Sequence, residues 1–183
     1  MKPIGIIQSQ GGHFLFEQTF ARLQIPCLLI QNADDFNQIG GLILHGGEST
    51  AQYLLLKQQD YIEKIKQFAA ENKPILGVCA GCILLSHYQS EKVSGLGLIN
   101  ISIERNFYGS QYDSQLTNSD EGNDILFIRA PHIKSVQSPA IALQHYQGQA
   151  ILVKQHNCIG ATFHPEALQT EFGDDLFNNL FCS

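Results

Sequence analysis

The sequence predicts an α/β protein with a doubly wound, mostly parallel sheet in a three-layer architecture and a small antiparallel extension. Short, nearly all-apolar runs alternate with helical patterns over the first half of the chain, as expected for strands that are covered by helices on both faces. Residues 73–86 have the pattern of a buried strand, a tight glycine-flanked turn and a helix. After residue 95, Gly, Asn, Ser and Pro interrupt the apolar runs, which is typical of short antiparallel strands.

The first half of the chain supplies the parallel core. Apolar runs predict strands over residues 4–8, 26–30, 42–44 and 74–78. Helical periodicity predicts helices over residues 14–23, 51–71 and 81–86. With right-handed crossovers, this order gives a flavodoxin-like sheet whose functional groups lie at the carboxyl ends of the strands.

The second half supplies the extension and the last elements. Strands are predicted over residues 96–104, 125–128, 140–144, 150–155 and 158–163, and a closing helix over residues 174–182. Residues 111–123 are polar and lack periodicity, which predicts a loop. No repeat or linker interrupts the chain, so we expect a single domain over residues 1–183.

Composition limits the partners. The net charge is −6 and no run of lysine or arginine occurs, so we expect neither nucleic acid nor an anionic membrane surface as a partner. The apolar stretches are shorter than a membrane span, and the first residues lead directly into a strand, so we expect no anchor and no signal peptide. Five cysteines without a disulfide-type spacing indicate reduced thiols in the cytoplasm.

The turn at Gly77-Val-Cys79-Ala-Gly81 has the pattern of a nucleophile elbow with cysteine as the nucleophile. Flanking glycines leave room for the strand, the helix and a substrate around a strained turn. A thiol at a helix N-terminus is stabilised as the thiolate by the helix dipole. Buried cysteines at strand ends are common and mostly inert, but the two glycines and the strand-to-helix context favour Cys79 as a nucleophile.

A general base is predicted at the end of the last strand, in Phe163-His164-Pro165-Glu166. Residues two apart on an extended chain point to the same side, so His164 and Glu166 project together. The imidazole can accept the thiol proton while the carboxylate orients the ring. A histidine in a turn can also be merely structural; the elbow elsewhere in the chain favours the catalytic interpretation.

The glycine pair Gly46-Gly47 follows the third predicted strand, where an elbow-type fold supplies its second oxyanion donor. The backbone N–H groups of Gly47 and of Ala80 are therefore the predicted oxyanion hole. The turn could instead bind phosphate or cap a helix through Ser49 or Thr50. No lysine follows the glycines at P-loop spacing, which weakens the nucleotide alternative.

Five segments together resemble the glutaminase subunits of pyridoxal phosphate synthase, a family of class I glutamine amidotransferases. In chain order they are Gly-Gly-Glu-Ser-Thr, Gly-Val-Cys-Ala-Gly, Glu-Arg-Asn-Phe-Tyr-Gly, Phe-Ile-Arg-Ala-Pro and Phe-His-Pro-Glu, and they extend over almost the full length. The Cys, His and Glu set alone would indicate only a class I amidotransferase. Arg105-Asn106 and residues 128–131 narrow the resemblance from class I amidotransferases in general to the glutaminase subunits of pyridoxal phosphate synthase.

The resemblance implies that the chain hydrolyses glutamine with a Cys-His-Glu triad and needs no cofactor. It implies that the ammonia goes to a separate (βα)-barrel synthase subunit in a hetero-oligomer, and that the isolated glutaminase is largely silent until this partner docks. The residues implied in glutamine binding are Gly46, Gly47, Glu48, Ser49, Arg105, Ile128 and Arg129. For Arg129, a structural ion pair is an equally good interpretation.

Other interpretations stay open at this point. Cys79 and Cys82 form a C-x-x-C motif, so a redox or stress protein of the same elbow-cysteine superfamily is the alternative function. The remaining histidines share no ligand spacing, so we expect no metal site. The chain also departs from the family pattern: His45 stands where proline is usual, Ser110 where arginine is usual, and Cys82 where a larger apolar residue is usual.

Overall fold

The structure is a computed structural model that describes residues 2–9, 12–105 and 114–182. Within these ranges the α-helices are α1 (Phe14–Leu23), α2 (Ser49–Gln58), α3 (Tyr61–Ala70), α4 (Ala80–Leu85) and α5 (Glu171–Phe181), and two short 3-10 helices cover Ala33–Asn37 and Pro165–Ala167. The strands are β1 (Ile4–Ile7), β2 (Cys27–Ile30), β3 (Gly41–Leu44), β4 (Ile75–Val78), β5 (Ile101–Glu104), β6 (Gln115–Asn118), β7 (Asp124–Phe127), β8 (His132–Val136), β9 (Ile141–Tyr146), β10 (Gln149–Gln155) and β11 (Cys158–Ala161).

A seven-stranded sheet in the order β2-β1-β3-β4-β11-β10-β9 forms the centre of the fold. The neighbours β2, β1, β3, β4 and β11 pair in parallel. Strand β10 pairs antiparallel with β11, and β9 pairs antiparallel with β10. Two further antiparallel pairs, β5 with β8 and β6 with β7, lie outside this sheet. The predicted α/β class, with its mostly parallel sheet and its antiparallel extension, is confirmed.

Side-chain alternation along the strands divides the core into two layers. On β3, Leu42 and Leu44 pack into one layer with residues of α2, α3 and α4, and Ile43 packs into the other layer. The second layer contains aromatic side chains of α1 and α5, with Phe20 and Phe177 in an edge-to-face contact. Because helices cover both faces, the functional groups can emerge only at the ends of the strands.

Three predictions about the elements were wrong. The helix predicted over residues 51–71 is two helices, α2 and α3, because Asp60 adopts a left-handed conformation with φ of 56°. Residues 115–118 of the predicted loop form β6, which pairs with β7 through the backbone although its side chains are polar. Of the strand predicted over residues 96–104, only β5 is a strand, and β8 was not predicted at all.

None of the helices in residues 2–9, 12–105 and 114–182 combines the length and the apolar character needed to cross a lipid bilayer.

Candidate active site

Cys79 occupies a strained turn between β4 and α4. Its backbone has φ of 50° and ψ of −102°, a conformation that side chains of L-residues rarely adopt. Its N–H donates to the carbonyl oxygen of Ala161 on β11 at 2.7 Å, which fixes the turn to the neighbouring strand. A methyl group added to Gly81 would overlap the carbonyl oxygen of Leu44 on β3, so only glycine fits there. The sulfur is thus held at the carboxyl end of the central strands, as the elbow pattern predicted.

His164 and Glu166 lie together just beyond the end of β11. His164 Nδ1 is 2.7 Å from Glu166 Oε1, and both side chains are buried. The backbone N–H of His164 donates to the carbonyl oxygen of Leu126 on β7 at 2.9 Å. The hydroxyl of Thr19 on α1 donates to the carbonyl oxygen of Glu166 at 3.1 Å. The pair is therefore fixed by two separate elements, and its ring orientation is set by the carboxylate.

The environment of His164 favours the charged imidazolium. Burial by itself lowers the pKa of His164. The sulfur of Cys79 and the carboxylate of Glu166 raise the pKa by more than burial lowers it, so that the pKa is about 10. Among the residues that the structure describes, His164 Nε2 has no hydrogen-bond partner. The ring can therefore hold a proton on the side of the thiol, which is the requirement for a thiolate–imidazolium pair.

The thiol of Cys79 also contacts the segment after β7. Its sulfur lies 3.8 Å from the carbonyl oxygen of Ile128. The next residue, Arg129, is exposed and has φ of 46°, a second strained position beside the thiol. This contact joins the elbow to a stretch of chain about fifty residues away in sequence.

Gly47 and Ala80, the two residues predicted to donate to the oxyanion, line the same cavity as Cys79. Gly47 has φ of 130°, a backbone conformation that favours glycine. A methyl group added to Gly46 would overlap Cε1 of His164, so the glycine turn lies directly against the imidazole. Ala80 is the first residue of α4, and an N–H at this position has no acceptor within its own helix. Both N–H groups are thus available for an anionic oxygen near the thiol.

One cavity of about 410 Å³ brings the predicted site residues together. It is lined by all eleven of them: Gly46, Gly47, Glu48, Ser49, Cys79, Ala80, Arg105, Ile128, Arg129, His164 and Glu166. The sequence did not identify four further lining residues, namely Gly12, Leu15, Ile83 and Pro131. Ile83 and Leu15 lie on helices and carry no motif, whereas Pro131 is part of the Phe-Ile-Arg-Ala-Pro segment and could have been found there.

Glu48 and Arg105 form an ion pair at the wall of this cavity. Arg105 Nη2 lies 2.7 Å from Glu48 Oε1, and the other carboxylate oxygen, Oε2, accepts the N–H of Ala51 at the start of α2. Burial raises the pKa of Glu48, but hydrogen bonds from Thr50 and Ala51 and the charge of Arg105 lower it below its ordinary value. The pair thus presents one negative and one positive group side by side.

Ser49 adds a buried hydroxyl to the same wall. Its side chain is 2% exposed, and its Oγ has no hydrogen-bond partner within residues 2–9, 12–105 and 114–182. A buried hydroxyl that lines a cavity without a protein partner is available to a ligand. Asn106 and Ser110 lie outside the described residues.

The second cysteine of the C-x-x-C motif is sealed in the core. Cys82 is fully buried, and burial together with the neighbouring Cys79 raises the pKa of its thiol well above the ordinary value. All the cysteines in the described part of the chain are free. A redox-active pair needs an accessible, acidic thiol, so Cys82 does not support the redox alternative.

Comparisons with known proteins agree on one family. The family model of the SNO glutamine amidotransferase family matches residues 7–182. The chain is 37% identical over 172 residues to the pyridoxal 5'-phosphate synthase subunit PdxT of Bacillus pumilus, covering 91% of this chain and 88% of that protein. It is 35% identical over 190 residues to the PdxT subunit of Anoxybacillus flavithermus, covering 98% and 97%.

Solved structures agree in fold. A crystal structure of a glutamine amidotransferase superimposes with a TM-score of 0.88 at 24% identity, covering 98% of this chain and 99% of that one. The structure of PurLQS from Thermotoga maritima superimposes with a TM-score of 0.71 at 16% identity. At these identities the likeness concerns the fold, whereas the family model and the more similar relatives cover nearly the whole sequence. This chain therefore belongs to the SNO glutamine amidotransferase family.

Proposed function

We propose that this chain, acting as one domain over residues 1–183, is the glutaminase subunit of a pyridoxal 5'-phosphate synthase and hydrolyses glutamine to glutamate and ammonia. The observation that carries the proposal is the arrangement around Cys79, which lines one cavity together with the His164–Glu166 pair and with Gly47 and Ala80. Relatives at about 35% identity are named subunits of that synthase. The names of these relatives support the role in pyridoxal phosphate synthesis, and the residues that line the cavity support glutamine hydrolysis.

Acylation begins with the side-chain amide of glutamine over Cys79. The thiolate attacks the amide carbon, and the N–H groups of Gly47 and Ala80 hold the negative charge that develops on the oxygen. His164, charged because Glu166 and the thiolate favour its protonated form, gives its proton to the departing nitrogen. The carbon–nitrogen bond breaks, ammonia leaves, and a glutamyl thioester remains on the sulfur.

Deacylation uses the same groups in the opposite sense. His164, now neutral, takes a proton from a water molecule that attacks the thioester carbon. The carbon–sulfur bond breaks, glutamate leaves, and the proton on His164 restores the starting pair with the thiolate. Glu166 accepts a hydrogen bond from Nδ1 of the ring throughout, so that Nε2 always faces the reacting atoms.

The free end of glutamine carries an ammonium and a carboxylate, and the cavity wall offers a partner for each. Arg105 matches the carboxylate through its guanidinium, and Glu48 matches the ammonium. Gly46, Ser49 and the backbone at Ile128 and Arg129 complete the pocket around the side chain. Arg105 and Glu48 already pair with each other, so a bound substrate replaces that contact.

A partner subunit is part of the proposal because the released ammonia is useful only if a second enzyme uses it as a substrate. We propose that the barrel synthase subunit docks over the mouth of the cavity, where two apolar side chains of α1 are exposed. Phe14 is 58% exposed and Leu15, which lines the cavity, is 41% exposed. Exposed apolar side chains of this size beside a polar cavity are typical of a protein interface. Neither a nucleic acid nor a membrane is part of this proposal, and the net charge of −6 is consistent with that.

The test is ammonia release from glutamine by the chain mixed with a pyridoxal phosphate synthase barrel subunit. We expect steady release with glutamine, none with asparagine, whose amide is one methylene closer to the charged end, and none with Cys79→Ala. The redox alternative predicts instead a dithiol-dependent reductase activity that depends on Cys82. Reductase activity without ammonia release would contradict the proposal.

A further inference from the structure

A cluster of buried polar side chains lies behind the glycine turn of the active site. His45, at the end of β3, is 1% exposed, and Gln52, on α2, is 3% exposed. Ser9, just after β1, is in contact with His45. Neither His45 nor Gln52 lines the cavity, so the mechanism described above does not use them. Buried polar groups are retained where their hydrogen bonds have a structural or functional consequence.

The cluster converges on the carbonyl oxygen of Gly46. Nδ1 of His45 and Nε2 of Gln52, the latter at 3.1 Å, both contact this oxygen, and Gln52 Nε2 also donates to the His45 carbonyl at 2.8 Å. Since Nδ1 faces a carbonyl, it carries the ring proton. His45 Nε2 is then an acceptor for the hydroxyl of Ser9, 3.0 Å away.

His45 is suited to this neutral, donating form. Burial lowers its pKa, although the contact with the Gly46 carbonyl acts in the opposite direction. The charged or titratable groups around it are His13, whose ring centroid is 6.4 Å away, and Glu166, whose charge acts on it at longer range. Burial thus favours the neutral ring, and the Gly46 carbonyl is an acceptor in contact with its Nδ1.

The orientation of this carbonyl determines where the next N–H points. The peptide between Gly46 and Gly47 is planar and trans, so its C=O and N–H are directed to opposite sides. With the oxygen turned toward His45 and Gln52, the N–H of Gly47 is turned away from them, and Gly47 itself lines the cavity. Two consecutive glycines allow this peptide to rotate easily, so side-chain donors are needed to hold one orientation.

We propose that His45 and Gln52, supported by Ser9, are positioning residues that hold the Gly46–Gly47 peptide with its N–H directed at the oxyanion. The inference rests on the proposed glutaminase reaction and adds to it the groups that orient one of the two oxyanion donors. Neither side chain touches the substrate. Their effect is on the transition state, because the oxyanion develops only after the thiolate has attacked.

The experiment compares isosteric variants in the complex with the synthase subunit. Gln52→Met and His45→Leu remove the donors to the Gly46 carbonyl, His45→Asn keeps an N–H donor near the position of Nδ1, and the exposed Gln58→Met on the same helix is the matched control. Measurements are kcat and KM for glutamine and the rate at which iodoacetamide alkylates Cys79. Ser9→Ala is a milder variant at a half-buried position, in case the larger changes impair folding.

We expect Gln52→Met and His45→Leu to lower kcat by about 10- to 100-fold, which is less than the loss of an entire oxyanion donor. KM and the alkylation rate should stay within about twofold of wild type, because binding and the thiol are not altered. His45→Asn should recover much of the loss in His45→Leu, Ser9→Ala should lower kcat in the same direction by a smaller factor, and Gln58→Met should behave as wild type.

Three results would overturn the inference: unchanged kcat in Gln52→Met, a rise in KM alone, or a loss of Cys79 alkylation in parallel with kcat. The last would show a general disturbance of the site. Wild-type hydrolysis with unaffected variants would remove this inference only. A wild-type complex that releases no ammonia at all would remove both this inference and the proposed function.

Discussion

The imidazole of His164 lies 2.7 Å from the carboxylate of Glu166, and both side chains are buried. Two residues separated by a single proline thus form a fixed pair, and the thiol of Cys79, from a distant part of the chain, is close enough to raise the pKa of the ring. A buried ion pair of this kind stabilises the fold only weakly. The main effect of the pair is on the chemistry, because Glu166 helps to keep the His164 ring protonated close to the sulfur of Cys79.

Replacing Cys79 should abolish glutamine hydrolysis, whereas replacing Cys82 should leave it close to the wild-type rate. Cys79→Ala removes the nucleophile, so we expect glutamine hydrolysis below about one thousandth of the wild-type rate. Cys82→Ala is the matched control, since this fully buried residue packs against Gly160 and does not reach the cavity. Ammonia release in the complex with the synthase subunit measures both, and comparable losses in the two variants would contradict the assignment.

Glu166→Gln should reduce kcat much more than it changes KM. The amide keeps the shape of the side chain but no longer stabilises the charged ring, and it can present its NH₂ group to Nδ1 and favour the wrong tautomer. We expect kcat to fall by about 100-fold or more, as for other triads that lose the orienting carboxylate. Glu171→Gln, in the first turn of α5 and outside the cavity, serves as the control. A wild-type kcat in Glu166→Gln would mean that the ring is oriented by other groups.

The His164 site should make the free energy of unfolding depend on pH in the alkaline range. An ordinary histidine has a pKa of about 6.5 in an unfolded chain, whereas contact with Cys79 and Glu166, acting against burial, raises the pKa of His164 in the folded chain to about 10. Between these values the His164 ring is protonated in the folded state and largely neutral in the unfolded state. The stabilisation is therefore complete below about pH 6.5 and is lost as the pH rises toward 10.

Urea unfolding at pH 7 and at pH 9.5 measures this effect. The wild type should lose about 1 kcal/mol more over this interval than His164→Asn. An ordinary cysteine in an unfolded chain, with a pKa of about 8.5, also releases its proton in this interval and offsets part of the histidine effect. Equal losses in the two proteins would show that His164 titrates normally in the folded chain.

Arg105→Gln should weaken glutamine binding. The guanidinium pairs with Glu48 and is our proposed partner for the substrate carboxylate. A charge-assisted hydrogen bond contributes about 1.5–3 kcal/mol, so we expect KM to rise by about 10-fold or more with a smaller change in kcat. Arg22→Gln is the control, because Arg22 forms a bidentate ion pair with Asp174 on another part of the surface. A change in kcat alone would place Arg105 in the chemistry instead of in binding.

Much of the site could be predicted from the sequence because its key groups lie in short local patterns. Gly77-Val-Cys79-Ala-Gly81 encodes a turn whose glycines are needed for steric reasons, and the overlap that a methyl group on Gly81 would produce with β3 gives the physical cause. His164 and Glu166 are only two residues apart, so the pair could be predicted, although Glu166 lies in a short 3-10 helix, Pro165–Ala167, and not on the extended chain that the sequence suggested. The parallel strands were recognised because burial on both faces makes them nearly all apolar.

Other features depend on contacts that no local pattern contains. β6 is polar and exposed and is defined by backbone pairing with β7, so periodicity could not identify it. The break between α2 and α3 occurs at Asp60 without a glycine or proline, and the apolar periodicity of the segment continues across it. The cluster of His45, Gln52 and Ser9 comes from three elements, and only the tertiary structure brings them to one carbonyl.

The most direct test of the central claim is to identify the residue that a glutamine analogue with a chloroketone in place of the amide modifies in the complex with the synthase subunit. Peptide mass spectrometry after digestion gives the answer. The account predicts one adduct, on Cys79, that glutamine prevents in proportion to its occupancy and that Cys79→Ala abolishes. Modification of another cysteine at a comparable rate, or labelling of Cys79 that excess glutamine does not slow, would contradict it.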